Sequence, residues 1–449
     1  MPEKDILMVK ERGQTVLVVD GGGRGSALVH KYSLSHRVSR ILCIPGNDLN
    51  GLNSKKPVKI YPHLETTSVS QIVEICKKEK VDLVDVNQDN AVEAGLTDEL
   101  IKNGIKAIGP SKLAGQIEWD KAWARDFMKK YKIPQPKYHV CNSQKEGITY
   151  IKKQKDGKWF VKAAGLAFGK GALPAENNKR AIERIKEMNK FGKSGDTYVI
   201  EEWLEGEEFS LFVLCDSISY HIVGCAQDHK RMYNWDLGEN TGGIGCSTPP
   251  LVVAPKVLRE TDRNIIKKTV DGLKKEGREF KGILYLGAII VRGKVYVIEF
   301  NARWGSPEAE VLVPAIVNDL FVVSDAMAEG RLSKIHVRVD KKARVAVTLS
   351  LRENPTPVNS KVGRRIYGID QVKLIPGVTL YGARVSKKGN KYYAGSGRLL
   401  HIVGEGKNVI EAREKAYQAA SLFSVEGNNL HYRTDIGWRD VERLRVGNA

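Results

Sequence analysis

No stretch of this 449-residue chain approaches the roughly 20 consecutive apolar residues that span a bilayer, so the sequence predicts no membrane partner. The opening, MPEKDILMVKERGQ, is charged where a secretory signal carries its apolar core, and a cytoplasmic protein is expected. Cysteine is scarce. Cys43, Cys76, Cys141, Cys215, Cys225 and Cys246 form no CxxC pair and no Cys/His cluster, which signals neither a disulfide framework nor a zinc site and leaves most of them as buried thiols. There is no internal repeat and no low-complexity tract. Two phosphate-binding signatures are incomplete: Gly21 to Gly23 lacks the rest of a GxGxxG turn and the acidic residue that ends the following strand, and WFVKAAGLAFGKGALPA lacks the GK[ST] ending of a Walker loop. A dinucleotide site is therefore not expected at the first, where a backbone approach to phosphate and a purely steric turn both remain open.

Positive charge is abundant. Lys and Arg number 72 against 53 Asp and Glu, a net +19, which favours anionic partners. The basic residues are dispersed, and no recognition helix or aromatic-basic strand shows in the linear order. A small phosphorylated substrate is thus preferred to nucleic acid. With 42% hydrophobic and 28% charged residues, a chain of this length supports two to four domains or subdomains.

From Val16 to Gly109, apolar strand-like runs (Val16 to Val19, Arg40 to Gly46, Val81 to Val86, Ile105 to Gly109) alternate with helical segments, one opening near Ser26 and one over Ser68 to Lys80. This alternation predicts a doubly wound parallel sheet with ligands at the carboxyl ends of its strands. Near Pro110 to Gly115 the pattern changes to an amphipathic helix that ends before Pro134. Beyond about Leu332 the chain turns strand-rich and basic, and a separate α+β unit without a catalytic cluster is expected. The fold class is multidomain, α/β and α+β, with boundaries at residues 1–112, 113–335 and 336–449.

Chemistry concentrates in the middle. A strand carrying Lys162 runs into a loop with Gly165, Gly169, Lys170 and Gly171, where glycines can fold over a triphosphate and ammonium groups neutralise it. YVIEEWLEGEEFSLFVL joins two strands through an acidic bend containing Glu201, Glu202, Leu204 and Glu208, with a charged hairpin as the plain alternative. Ala226 to Pro250 is a long Gly- and Asn-rich loop of functional length. A hairpin turning at Arg292-Gly293 then delivers VIEFNARWGSPEAE, in which Glu299, Asn301 and Arg303 share one strand face. A carboxylate and an amide oxygen suit a magnesium or manganese ion, and an arginine suits phosphoryl oxygens.

A lysine-flanked glycine loop, an acidic interstrand bend and a strand ending Glu-x-Asn-x-Arg occur in this order in ATP-grasp ligases. Along almost its whole length the chain resembles the phosphoribosylamine–glycine ligase family, on the words GPSK with a following Lys121, VKAAGLAFGKG, IEEWLEGEE, QDHKR, NTGGIG, GILYLG, EFNARWGSPE and YRTDIGW. The resemblance implies a central ATP-grasp domain over 113–335 with a nucleotide-binding lid at about 134–205. It implies small-molecule partners, namely ATP, glycine and 5-phosphoribosylamine, and a monomer or weak homodimer. By the same resemblance Lys121, Lys162, Gly169, Lys170 and Gly171 hold the phosphates, Glu201, Glu202 and Leu204 hold the adenine, and Glu208 the ribose. Glu299 and Asn301 hold metal, Arg303 and Asp228 act at the reacting groups, and Gly22, Gly23, Arg24, Asn47, Asn87, Lys230, Asn240, Thr241, Gly242, Ser306 and Glu308 face the substrates. His229 is a candidate general base that the chemistry does not demand.

Departures from the family pattern cluster at the acceptor side. Gly25 and Ser26 stand where the family carries Glu and His, VNQDNAVEAG replaces a Gly-Pro-Glu turn, Gly287 replaces a polar group of some members, and Ser306 occupies an Asp position. The lost acid predicts weak glycine binding, or a neighbour, Asp228 or Glu308, that supplies the charge.

Overall fold

The computed structural model describes residues 13–167, 170–352 and 363–447. Its first unit is an all-parallel sheet of β1 (Gln14–Asp20), β2 (Val38–Pro45), β3 (Val58–Ile60), β4 (Leu83–Val86) and β5 (Ala107–Ile108) in the order β3-β2-β1-β4-β5. The near-continuous apolar run of β1 is what a strand covered on both faces requires. Helix α1 (Gly23–Ser33) opens three residues before the expected Ser26, because the Asp20 carboxylate accepts the N–H groups of Gly22 and Gly25 and so organises the first turn.

The single amphipathic helix expected after Pro110 is two helices, Lys112–Trp119 and Lys121–Lys130. Asp120 breaks them with an extended backbone, and its side chain then caps the second helix by accepting the Trp123 N–H at 3.0 Å. A small antiparallel sheet follows, built from β6 (Tyr138–Cys141), β7 (Trp159–Ala163), β8 (Ala172–Ala175) and β9 (Tyr198–Glu202) in the order β6-β9-β7-β8. The acidic bend after β9 is not a hairpin. Residues 203–206 cross from this sheet into β10 (Glu207–Asp216) of a second one.

That second sheet runs through β11 (Tyr220–Asp228), β14 (Gly245–Thr248), β15 (Lys281–Val291), β16 (Lys294–Asn301), β17 (Ala343–Leu351), β19 (Val378–Gly382) and β22 (Arg398–Gly406), in the order β16-β15-β10-β11-β14-β17-β22-β19, with β24 (Leu430–His431) also on β17. The expected loop 226–250 contains a ribbon of β12 (Arg231–Tyr233) and β13 (Leu237–Asn240). The turn between β15 and β16 falls at Arg292 and Gly293, both at positive φ (49° and 77°), as a two-residue hairpin needs. The expected C-terminal α+β unit is present, and its sheet is continuous with the central one: β17 pairs with β14, so the C-terminal strands extend the central sheet. Within the C-terminal unit, β18 (Arg365–Tyr367), β20 (Val385–Lys388), β21 (Lys391–Ala394) and β23 (Ser424–Val425) form a sheet apart. All six cysteines are free and buried, and among the described residues no helix is long and apolar enough to cross a membrane.

Candidate active site between the two sheets

β7 and β16 bring Lys162 and Glu299 to the cleft between the sheets. Lys162 is buried, with its Nζ 2.7 Å from Glu201 of the neighbouring β9. The other oxygen of Glu201 is held at 2.7 Å by Arg125 Nε, whose remaining nitrogens donate to the carbonyls of Val297 (3.2 Å) and Ile298 (2.7 Å). One guanidinium thus ties the small sheet to β16 immediately before Glu299. Burial pushes the Glu201 carboxyl up, but Arg125 and Lys162 outweigh it and hold the pKa below the usual range.

Glu299 has no hydrogen-bond donor among the described residues. Burial raises its pKa, while Lys230, Lys162, Lys121 and Arg303 together bring it below the ordinary value, so it is ionised within a surplus of cations. Burial lowers the pKa of Lys121, which donates to the Gly165 carbonyl at 3.2 Å. Gly287 lies opposite Glu299, and a Cβ there would meet Glu299 Cγ at 3.2 Å, so the glycine leaves room for that carboxylate. Asn301 Oδ1 accepts from Arg303 Nη2 at 3.0 Å, and Arg303 is fixed in turn by Glu118 at 2.8 Å. Glu118 also accepts the Ala302 N–H at 2.7 Å; burial, against the pull of Arg303, pushes its pKa up to about 7.

Three buried polar atoms here lack a partner among the described residues: Asn301 Nδ2, Arg303 Nε and Asp228 Oδ1. Buried groups are satisfied as a rule, and orphans at the ends of β11 and β16, two strands of one sheet, point to something that docks there. The Asp228 carboxyl is raised well above its ordinary value by burial and then by Glu308, against Lys230 and Arg398. Glu308 accepts from the Tyr285 hydroxyl at 2.8 Å. Lys230 pairs with Glu208 at 3.1 Å, and its pKa is raised, first by Glu208. The Lys230 carbonyl takes the N–H of Thr241. Asn240 pairs with Arg231 in the ribbon, and the Gly242 carbonyl accepts from Arg398 Nη1 at 2.7 Å.

Other expected site residues are engaged within the protein. Arg24 donates to Asp20 and to the Trp304 carbonyl (2.8 Å), Asn47 to the Gly382 carbonyl (3.1 Å), and Asn87 to Asp85. Gly22 caps α1 through Asp20, and Gly23 packs so closely that a Cβ would lie 2.3 Å from Glu310 Oε1. The Glu202 N–H and carboxylate both bond to the Lys137 backbone (3.0 and 2.9 Å), and Leu204 is half-buried in the crossing. Lys170 is exposed; Gly171 abuts Ala167, and Gly169 lies outside the described residues. His229 is no base: Nε2 accepts the Gly437 N–H at 3.0 Å, and burial, aided by Arg433, lowers its pKa to about 3.

Ser306 donates to Glu310 at 2.6 Å, not to Asp228 or Glu308. The acid bonded to this position is therefore Glu310. It is fully buried, 3.3 Å from His401 Nε2, with its pKa pushed up to about 7 by burial. Glu118, Arg125, Glu310, Arg398 and His401 went unread as site residues. Glu310 lies within the stretch VIEFNARWGSPEAE, whereas the others act across the fold and leave no spacing signal.

Three family models match consecutive parts of the chain: the phosphoribosylglycinamide synthetase N domain over residues 14–118, its ATP-grasp (A) domain over 119–309 and its C domain over 346–439. The phosphoribosylamine–glycine ligase of Brucella melitensis is 34% identical over 96% of this chain and 99% of its own length. That of Caldanaerobacter subterraneus is 35% identical over 94% and 99%. Among solved structures, the phosphoribosylamine–glycine ligase of Thermotoga maritima superposes with a TM-score of 0.77 at 27% identity, covering 94% of this chain and 99% of that one. The biotin carboxylase of Campylobacter jejuni shares the fold at a TM-score of 0.69 and 16% identity, over 93% of each chain. With matched domains in order from end to end and relatives this similar, the chain belongs to the phosphoribosylglycinamide synthetase family of ATP-grasp ligases.

Proposed function

We propose that the chain joins glycine to 5-phosphoribosylamine at the expense of ATP, giving glycinamide ribonucleotide, ADP and phosphate. The observation that carries this is the convergence of Lys121, Lys162, Lys230 and Arg303 on the unbonded carboxylate of Glu299. A carboxylate is a poor electrophile, so glycine's attacks the γ-phosphate first, and the amine then displaces phosphate from the glycyl phosphate. Lys121 and Lys162 bind the triphosphate under the loop 165–171, with Lys170 and the glycines closing over it. The crossing at Glu202 and Leu204 receives the adenine, and Glu208 the ribose. Glu201 positions Lys162 rather than touching nucleotide. Arg303, fixed by Glu118, faces charge that develops on the transferred phosphoryl group.

Glu299 and Asn301 offer hard oxygen ligands, and the lack of any donor to the Glu299 side chain among the described residues fits a magnesium or manganese ion there. Such an ion would neutralise charge on the triphosphate when bound. On the acceptor side, Asp228 and Glu308 form an acidic pair suited to glycine's ammonium at the end of the loop Asn240 to Gly243, while Gly22 and Gly23 lie against Asp20 and Glu310.

The test is release of ADP and phosphate with glycine and freshly made phosphoribosylamine, set against a panel of other amino acids and amines. Product formation with that pair supports the reading; turnover with another pair alone overturns it. A diverged acceptor is the second reading, favoured by Gly25, Ser26 and Ser306.

A further inference from the structure

The sheet apart from the others has a face that the reaction does not use. β20, β21, β18 and β23 lie side by side, and their inner residues Val385, Tyr392, Ala394, Ile366 and Val425 join the C-terminal core. The outer face follows from the register. Arg365 pairs with Tyr393 and Tyr393 with Ser386, while Lys388 pairs with Lys391 and Tyr367 with Ser424. Since i and i+2 share a face, Arg365, Tyr367, Tyr393, Lys388 and Lys391 all stand on it. Two cations already lie over two rings: Arg365 over Tyr367 at 4.6 Å and Lys388 over Tyr393 at 5.8 Å. Tyr367 is 43% exposed, and Lys388 and Lys391 are exposed.

Charge is concentrated here as well. Between Arg364 and Leu400 there are eight Lys or Arg and a single acid, Asp370, whose charge is met by Lys373 at 3.1 Å. Glu426 sits at the margin, bonded to the backbone N–H of Arg365. This segment supplies a large part of the chain's +19, which the small-substrate cleft alone does not explain. The linear order hides the pattern because the two tyrosines and their cations come from strands more than twenty residues apart.

We propose that this face binds single-stranded nucleic acid. Bases stack on the open sides of Tyr367 and Tyr393, and phosphates run along Arg365, Lys388 and Lys391, the arrangement by which exposed strand aromatics and basic grooves hold single strands without strict sequence preference. A face on which rings alternate with cations offers stacking surfaces beside phosphate partners, which suits bases better than a lipid surface. An acidic peptide would have no use for the rings.

The test is fluorescence anisotropy of a labelled 20-nucleotide oligo(U) titrated with the full chain across a salt series. Binding that weakens with salt is expected. Tyr367→Ala/Tyr393→Ala should weaken it roughly tenfold or more while leaving heparin binding unchanged. Lys388→Glu/Lys391→Glu should flatten the slope of log K against log salt by about 1.4, as two lost phosphate contacts on a single strand require. Both double variants should keep ligase activity and the wild-type melting temperature, since these side chains lie outside the cleft. The proposal is overturned by no oligo(U) binding at low salt, or by binding that neither double variant changes. It is equally overturned if the tyrosine variant binds oligo(U) as the parent does, which would make the face a generic polyanion patch, or if phosphatidylserine vesicles bind and oligo(U) does not.

Discussion

Glu118 holds the Arg303 guanidinium at 2.8 Å and takes the N–H of the adjacent Ala302 at 2.7 Å, so one buried carboxylate sets both the backbone and the side chain just past the end of β16. Glu118→Ala should leave a buried guanidinium without its partner, at a cost of about 3 kcal/mol in stability. It should also lower kcat more than it raises the KM for ATP if, as proposed, Arg303 faces developing charge. Glu118→Gln keeps an oxygen for Ala302 and should recover most of the stability but little of the rate. Urea unfolding alongside steady-state kinetics checks this; an alanine variant with full kcat would remove Glu118 from any positioning role.

The sequence made the central chemistry legible because it is local. Glu299 and Asn301 lie two residues apart on β16, where strand geometry places them on a common face, and Arg303 follows two residues past its end. The parallel sheet was equally legible from its apolar runs. What could not be read depends on long-range pairing. Arg125 reaches Glu201 and β16 from a helix, and Arg398 and His401 reach the cleft only because β17 joins β14, a register that no local pattern encodes. Ser306 was legible as a departure, but not that its partner stands one helical turn later, at Glu310.

Glu299→Gln and Asn301→Ala are each expected to abolish ligation while leaving the fold intact. Glu299 has no hydrogen-bond partner among the described residues to lose, and Asn301 has one amide nitrogen already unpaired. Losing one contact to developing charge costs about 3 kcal/mol, or a rate loss of about 100-fold or more. Single-turnover phosphate release, with circular dichroism as the folding control, measures both. Turnover at the parent rate in either variant would withdraw the metal assignment.

Arg125→Ala should be among the most destabilising single changes in the chain. It strands the buried Glu201 carboxylate and frees the Val297 and Ile298 carbonyls at once, and breaking such a buried pair costs about 3 to 5 kcal/mol. Arg125→Ala/Glu201→Gln removes the unpaired charge and should restore part of that loss. A double variant no more stable than the single one, by urea unfolding, would show that the carbonyl contacts and not the ion pair hold the two sheets together.

Glu310 decides what an acid at position 306 can do. Its carboxyl titrates at about 7 in the fold, raised from 4.5 by burial, so the folded protein keeps a proton that the unfolded chain releases. The stability it lends is complete below pH 4.5 and is lost as pH rises towards 7, up to about 3 kcal/mol. Glu310→Gln should therefore flatten the fall in unfolding free energy over that window. Ser306→Asp replaces a hydroxyl that donates to Glu310 at 2.6 Å with a second carboxylate, and two acids in contact cannot both ionise cheaply. The single variant should lose about 1 to 3 kcal/mol at pH 8, with no gain in glycine KM. Adding Glu310→Gln should return that stability, giving a coupling of about 1 kcal/mol or more between the two sites, and should let the introduced carboxylate tighten glycine several-fold if glycine's ammonium lies there. Ser306→Asp alone tightening glycine at unchanged stability would mean that Glu310 does not govern the charge at this position.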